Sequence, residues 1–204
     1  MEEESNNKNA IKAILLGESG VGKTNLINVA LGMEFDEYSS VTYCSSFIKK
    51  VIKINNKEYI LHIWDTVGQE KYRPLTKLFF KDSKIVILVY DKSSKQSFKE
   101  LEYWYKEVKN ILEDDIILAV AGNKDDLDET NEDVDENKAI EFAKRINAKF
   151  KMTSAKLNGL GFYTFLKELL EDYIQKNNLD NIKKGKENKI LNLNTKQNKK
   201  SNCC

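Results

Sequence analysis

One segment constrains this chain more than any other. Gly17-Glu18-Ser19-Gly20-Val21-Gly22-Lys23-Thr24 fits the pattern G-x-x-x-x-G-K-[ST]. An apolar run at 11–16 precedes it, and residues 22–31, followed by Gly32, read as a helix. Strand, glycine-rich turn and helix in that order form a phosphate cradle. The glycines let the backbone curl until successive N–H groups point inward at an anion. The helix that follows contributes the positive end of its dipole. Lys23 supplies a point charge to the β- and γ-phosphates of a nucleotide, and the Thr24 hydroxyl is placed to ligate Mg²⁺.

The rest of the chain alternates in a way that suits such a loop. Residues 46–54 and 59–64 read as two strands joined by a turn at 55–57. Residues 85–90 and 116–121 are continuous apolar runs, as in parallel strands covered on both faces. A shorter run at 150–152 is also strand-like. Apolar residues at helical spacing mark 94–112, 139–146 and 160–174 as amphipathic helices. The expected fold is α/β: a P-loop NTPase with a mostly parallel six-stranded sheet and helices on both faces. Ligands in such folds lie beyond the carboxyl ends of the strands.

Composition excludes several classes. Hydrophobic residues are 41% and charged residues 32% of 204, enough apolar material for a core. No apolar run approaches the roughly 20 residues of a membrane span. The acidic, polar start MEEESNNKNA is not a secretory signal. Three cysteines, Cys44, Cys203 and Cys204, make no disulfide framework. The net charge of +1 hides an asymmetry: residues 176–204 hold eight lysines against one aspartate and one glutamate, +6, which leaves −5 for residues 1–175. An acidic body with a basic tail does not suit a nucleic-acid binder, whose folded domain carries the basic face. Residues 1–9 are expected to be disordered, 10–175 to form the nucleotide-binding domain, and the Asn- and Lys-rich residues 176–204 to be a flexible tail.

Three further motifs stand at strand ends. Asn123-Lys124-Asp125 follows the run at 116–121, and the Asp125 carboxylate is read as the acceptor for guanine's N1–H and exocyclic amine. Adenine has no matching donor pair. Ser154-Ala155-Lys156 follows the run at 150–152, and Trp64-Asp65-Thr66-Val67-Gly68-Gln69-Glu70 closes the second hairpin strand. With these in order, residues 10–175 and the terminal Cys-Cys pair resemble the Rab family of the Ras superfamily of small GTPases.

The resemblance implies a GTP/GDP switch for vesicle-mediated membrane traffic, with slow intrinsic hydrolysis that an activating protein accelerates. It implies that Gly17 to Thr24 and Asn25 wrap the phosphates, and that Thr24, Thr42 and Asp65 hold Mg²⁺. Thr42 and the Gly68 amide would sense the γ-phosphate, and Gln69 would orient the attacking water. Phe35 would cover the guanine ring. Asn123, Lys124, Asp125, Ser154, Ala155 and Lys156 would read or brace the base. Phe47, Trp64 and Phe79 match an aromatic triad read by effectors. Cys203 and Cys204 would carry geranylgeranyl groups added by a Rab-type transferase with its escort protein, since the ending is not C-a-a-X. An exchange factor, an activating protein, a GDP dissociation inhibitor and effectors are the implied partners. The implied location is the cytoplasmic face of an endomembrane, with a cytosolic pool.

The sequence departs from the family at Val67, usually Ala, and at Cys44, usually Gly. Cys44 reads as a small buried or half-exposed filler. His62 reads as an ordinary strand histidine, and the acidic run that includes Asp126, Asp128, Glu129, Glu132, Asp133, Asp135 and Glu136 as a solvated loop. Three alternatives remain at this point. One is a nucleotide-held scaffold with negligible hydrolysis, suggested by Val67 and opposed by Gln69. Another is an adenine-using P-loop enzyme, opposed by Asp125. The last is a superfamily member that stays off vesicles, opposed by Cys203 and Cys204.

Overall fold

The structure, a computed structural model, describes residues 10–112, 115–127, 134–157 and 159–198. Residues 1–9, Cys203, Cys204 and the middle of the acidic run lie outside the described residues.

Six strands form one sheet: β1 (Ala10–Leu16), β2 (Ser46–Ile54), β3 (Lys57–Asp65), β4 (Ile85–Asp91), β5 (Ile117–Asn123) and β6 (Lys149–Met152). Their spatial order is β2-β3-β1-β4-β5-β6. Only the β2–β3 pair is antiparallel. Its turn is tighter than expected: Ile54 pairs with Lys57, so the loop is Asn55-Asn56 alone. Both asparagines have positive φ, 48° and 62°. Asparagine tolerates that region, and the two-residue turn matches the twist of the flanking strands.

The helices are α1 (Lys23–Ala30), α2 (Arg73–Lys77), α3 (Lys95–Lys99), α4 (Leu101–Ile111), α5 (Glu136–Arg145) and α6 (Gly159–Asn198), with a 3₁₀ turn at Glu70–Tyr72. The single helix expected over 94–112 is divided at Glu100, although the residue stays helical (φ −69°, ψ −14°). Ser94 caps α3 by accepting from the Ser97 N–H. The short α2 and its preceding 3₁₀ turn were not foreseen, because five residues are too few for an amphipathic period.

The tail differs most from expectation. α6 does not stop near residue 175 but continues as helix to Asn198, through the segment read as flexible. Residues 176–198 contain no proline and one glycine, and lysine, glutamine, glutamate and leucine all accept helical backbone, so nothing in the sequence forces a stop.

Two cores sandwich the sheet. On one side Leu26 and Ile27 of α1 meet Phe162, Phe165, Leu166, Leu169 and Leu170 of α6 over Ala13, Leu15, Ile87 and Val89. On the other, Leu101, Trp104 and Val108 of α4 and Phe142 of α5 cover Ile14, Leu16, Val86, Leu88 and Val120. Trp104 is fully buried. Trp104→Ala is expected to cost about 3–5 kcal/mol of stability, as for large aromatic truncations in cores. A urea titration of the two proteins measures the difference.

Candidate functional site

Four strand ends reach one cavity, and the end of β4 lies behind it, where Asp91 pairs with the lining residue Lys124. β1 ends at the Gly17 loop, β3 at Asp65, β4 at Asp91, β5 at Asn123, and β6 just before Thr153. The cavity has a volume of about 380 Å³ and runs from Gly20, Lys23 and Thr24 at one end to Asn123, Asp126 and Ala155 at the other.

The phosphate end is built on the start of α1. Gly22 caps the helix in the left-handed conformation at φ 92°, and no side chain caps the helix N-terminus. That leaves the first-turn N–H groups open to an anion. A Cβ on Gly22 would lie 2.4 Å from the Asn123 amide nitrogen, so only glycine fits. That amide donates to the Val21 carbonyl at 2.8 Å, stitching the phosphate loop to the base end.

Lys23 is buried, and its ammonium donates to the Gly17 carbonyl at 2.9 Å and the Glu18 carbonyl at 2.8 Å. Desolvation brings its pKa down to about 8, against partial support from Asp65 and Glu18. An ammonium has three donors, and two are used by these carbonyls. A bound phosphate favours the charged amine, so nucleotide binding takes up a proton where free Lys23 is neutral. Affinity for a phosphate ligand is expected to fall as pH rises above about 8, by up to tenfold per unit. Titration calorimetry between pH 7 and 9 checks the sign.

Beside Lys23, three oxygen-bearing side chains meet. The Thr24 hydroxyl donates to Asp65 Oδ2 at 2.7 Å and lies 2.9 Å from the Thr42 hydroxyl. Asp65 is buried, and desolvation raises its carboxyl pKa against the hydrogen bonds from Thr24 and Thr42. Its second oxygen, Oδ1, is buried with no partner among the described residues. An orphaned carboxylate oxygen beside two hydroxyls is a hard-oxygen set that fits Mg²⁺.

The base end corrects one residue. Asp125 is exposed, does not line the cavity, and pairs with Lys92 at 3.3 Å. The carboxylate in the cavity wall belongs to Asp126, which accepts a hydrogen bond from the Ser154 hydroxyl. Counted from Asn123, N-K-x-D places its aspartate at 126, so the spacing carried the signal and the acidic run obscured it. Asn123 Oδ1 accepts from the Ala155 N–H at 3.3 Å. Lys124, at φ 65°, pairs with Asp91 at 2.7 Å.

Other foreseen residues are distributed unevenly. Ser19, Gly20, Asn25, Phe35, Thr42, Gly68, Lys124, Ala155 and Lys156 line the cavity, whereas Gly17, Glu18, Val21, Ser154 and Gln69 do not. Asn25 turns toward the loop ahead of β2, donating to the Asp36 carbonyl at 2.9 Å and the Ser39 hydroxyl at 3.1 Å. Gln69 is half-buried just beyond Gly68. Val67 is buried, and its carbonyl accepts from the Thr76 hydroxyl at 3.1 Å. Glu37, Ser39, Ser40, Val41, Thr66 and Leu127 complete the wall without having been foreseen. Cys44 is exposed, not a buried filler. Phe47, Trp64 and Phe79 stand in a row, with ring centroids 5.1 and 5.3 Å apart.

A glycine-rich loop at a helix start, a buried lysine and a pocket of three oxygen-bearing side chains define a P-loop nucleotide-binding protein. The chain matches the Ras family over residues 12–175 and belongs to it. Among its relatives, Ras-related protein Rab-21 of Mus musculus is 36% identical over 86% of this chain and 78% of its own length. Ras-related protein SEC4 of Saccharomyces cerevisiae is 33% identical over 95% of this chain and 91% of its own length. Rab-21 of Geodia cydonium is 41% identical over 71% of this chain, and the match spans 63% of that relative. Within the Ras family the chain is therefore a Rab-type small GTPase of membrane traffic.

Proposed function

We propose that the cavity binds GTP and GDP with Mg²⁺ and that GTP is hydrolysed by a water which Gln69 orients. The observation that carries this reading is the meeting of Thr24, Thr42 and the unpartnered Asp65 carboxylate oxygen beside buried Lys23. Thr24, Thr42 and Asp65 would hold Mg²⁺, which would supply charge neutralisation to the phosphates. Lys23 and the N–H groups at the start of α1 bind and orient the phosphates. Asn123, Asp126 and Ala155 face the base end, where Asp126 accepts from guanine and Phe35 covers the ring. Thr42 and Gly68 lie on loops that close on a γ-phosphate and are released when it leaves.

Chelation tests the metal set. EDTA is expected to speed release of a fluorescent GDP analogue at least tenfold from the wild-type protein. In Asp65→Ala, release is already fast and responds little. Slow release in both proteins, with or without EDTA, contradicts the assignment.

We further propose that Cys203 and Cys204 carry two prenyl groups and hold the protein on an endomembrane, with a dissociation inhibitor maintaining a cytosolic pool. Two lipid chains suffice for stable anchoring where one is marginal. The +6 charge of residues 176–204 adds attraction to anionic lipid. No helix among the described residues is long and apolar enough to cross a membrane. An exchange factor, an activating protein, an escort protein and effectors act as partners, the effectors on the Phe47–Trp64–Phe79 row. Cys203→Ser/Cys204→Ser is expected to move the protein from the membrane pellet to the supernatant. Unchanged pelleting contradicts the lipid anchor.

A further inference from the structure

Arg73, one of only two arginines in the chain, meets two carboxylates through one nitrogen, while its buried Nε has no hydrogen-bond partner among the described residues. Its Nη2 donates to the Glu18 carboxylate and to Glu100 Oε2, the latter at 2.8 Å. Its guanidinium carbon lies 4.4 Å from the ring centre of Tyr103 and 5.6 Å from that of Trp104. Glu100 is itself held by the Gln96 amide at 2.9 Å. The Arg73 side chain is only 19% exposed, and each carboxylate 23%.

The partner at the other end matters most. Glu18 is the second residue of the phosphate loop. Its carbonyl accepts from Lys23 at 2.8 Å. Gly68 packs on the same carbonyl, so closely that a Cβ there would lie 2.5 Å from the Glu18 oxygen. The segment carrying Gly68 and Gln69 is thus fastened twice. Thr76 donates to the Val67 carbonyl at 3.1 Å. Arg73, four positions after Gln69, grips the phosphate loop through Glu18. The Arg73 Nη2 lies between the two carboxylates, so one planar, always-charged head ties the phosphate loop to Glu100.

We propose that Arg73 is a positioning residue for hydrolysis: its bridge from Glu18 to Glu100 fixes the Gly68–Gln69 segment against the phosphate loop. This inference rests on the assignment of Gln69 as the residue that orients water. Holding a water-orienting group within a fraction of an ångström is a rate effect, and small displacements cost orders of magnitude.

The test uses the full chain loaded with GTP and Mg²⁺. Single-turnover hydrolysis is followed beside release of a fluorescent GDP analogue for wild type, Arg73→Gln, Arg73→Lys, Glu18→Gln and Gln69→Leu. Arg73→Gln is expected to slow hydrolysis about tenfold or more while GDP release changes less than threefold. Arg73→Lys, which keeps the charge but loses the planar head stacked on Tyr103, should fall between. Glu18→Gln should slow hydrolysis as Arg73→Gln does, and the double variant should be no slower than either single one. Amide hydrogen exchange over residues 67–77 should rise in both Arg73→Gln and Glu18→Gln, a readout that needs no turnover.

Hydrolysis and exchange unchanged in Arg73→Gln overturn the bridge. So does a GDP release rate that changes by the same factor as hydrolysis, since that marks general loosening. Should Arg73→Gln fail to fold, Glu18→Gln decides on its own: wild-type hydrolysis and exchange there overturn the proposal. Gln69→Leu separates the two readings. If it abolishes hydrolysis while Arg73→Gln does not slow it, the bridge fails and Gln69 stands. If Gln69→Leu hydrolyses at the wild-type rate, the assignment of Gln69 fails first.

Discussion

Asp126→Ala is expected to weaken binding of GTP and GDP by about 10²–10³-fold, whereas Asp125→Ala changes it less than about threefold. The asymmetry follows from placement. Asp126 lines the cavity and is held by the Ser154 hydroxyl, so its carboxylate is oriented before any ligand arrives. Hydrogen bonds to a charged group contribute roughly 1.5–3 kcal/mol each. Losing two that guanine's N1–H and amine would make corresponds to about 3–6 kcal/mol, and the stated factor takes the lower half of that range. Asp125 loses only an exposed pair with Lys92, of a kind worth about 0–1 kcal/mol. Equilibrium titration with a fluorescent GDP analogue measures both. The opposite ranking would return the base-reading role to Asp125.

The second large effect is expected at Gly68. An added Cβ would lie 2.5 Å from the carbonyl carbon and oxygen of Glu18 and 2.6 Å from the Lys23 ammonium. The carbonyl belongs to the backbone of the phosphate loop and cannot turn aside as a flexible side chain could. In Gly68→Ala the segment must therefore lift away, carrying Gln69 with it. GTP hydrolysis should fall at least about 10²-fold, a barrier increase of about 2.7 kcal/mol. GDP affinity should fall by a smaller factor than hydrolysis, since the added Cβ crowds Lys23 and the Glu18 carbonyl but leaves the base end untouched. A normal hydrolysis rate in Gly68→Ala would mean that the segment does not need this close approach.

Periodicity and motif context made most of the scaffold legible. Continuous apolar runs located β4 and β5, and the glycine loop located β1 and α1, because burial on both faces and phosphate binding leave local signatures. The α2 segment left none: it is five residues long and is held by tertiary bonds from Thr76 and Arg73. The wall at Glu37, Ser39, Ser40 and Val41 comes from irregular loop, which carries no period to read. The aspartate in the cavity wall was legible in the N-K-x-D spacing from Asn123, and Ser154, 28 positions away, holds it there. The last helix also runs further than its apolar period marked: the backbone of α6 continues as helix to Asn198, beyond the end expected at residue 174.

The protein is expected to act as a guanine-specific, Gln69-dependent hydrolytic switch. A single-turnover assay tests it most directly: protein loaded with GTP, Mg²⁺ added, and nucleotides separated over hours, beside an ATP control and Gln69→Leu. Slow conversion of GTP to GDP, lost in Gln69→Leu, with no retention of ATP, is the predicted result. Equal conversion by Gln69→Leu, or retention of ATP as firm as that of GTP, would contradict it.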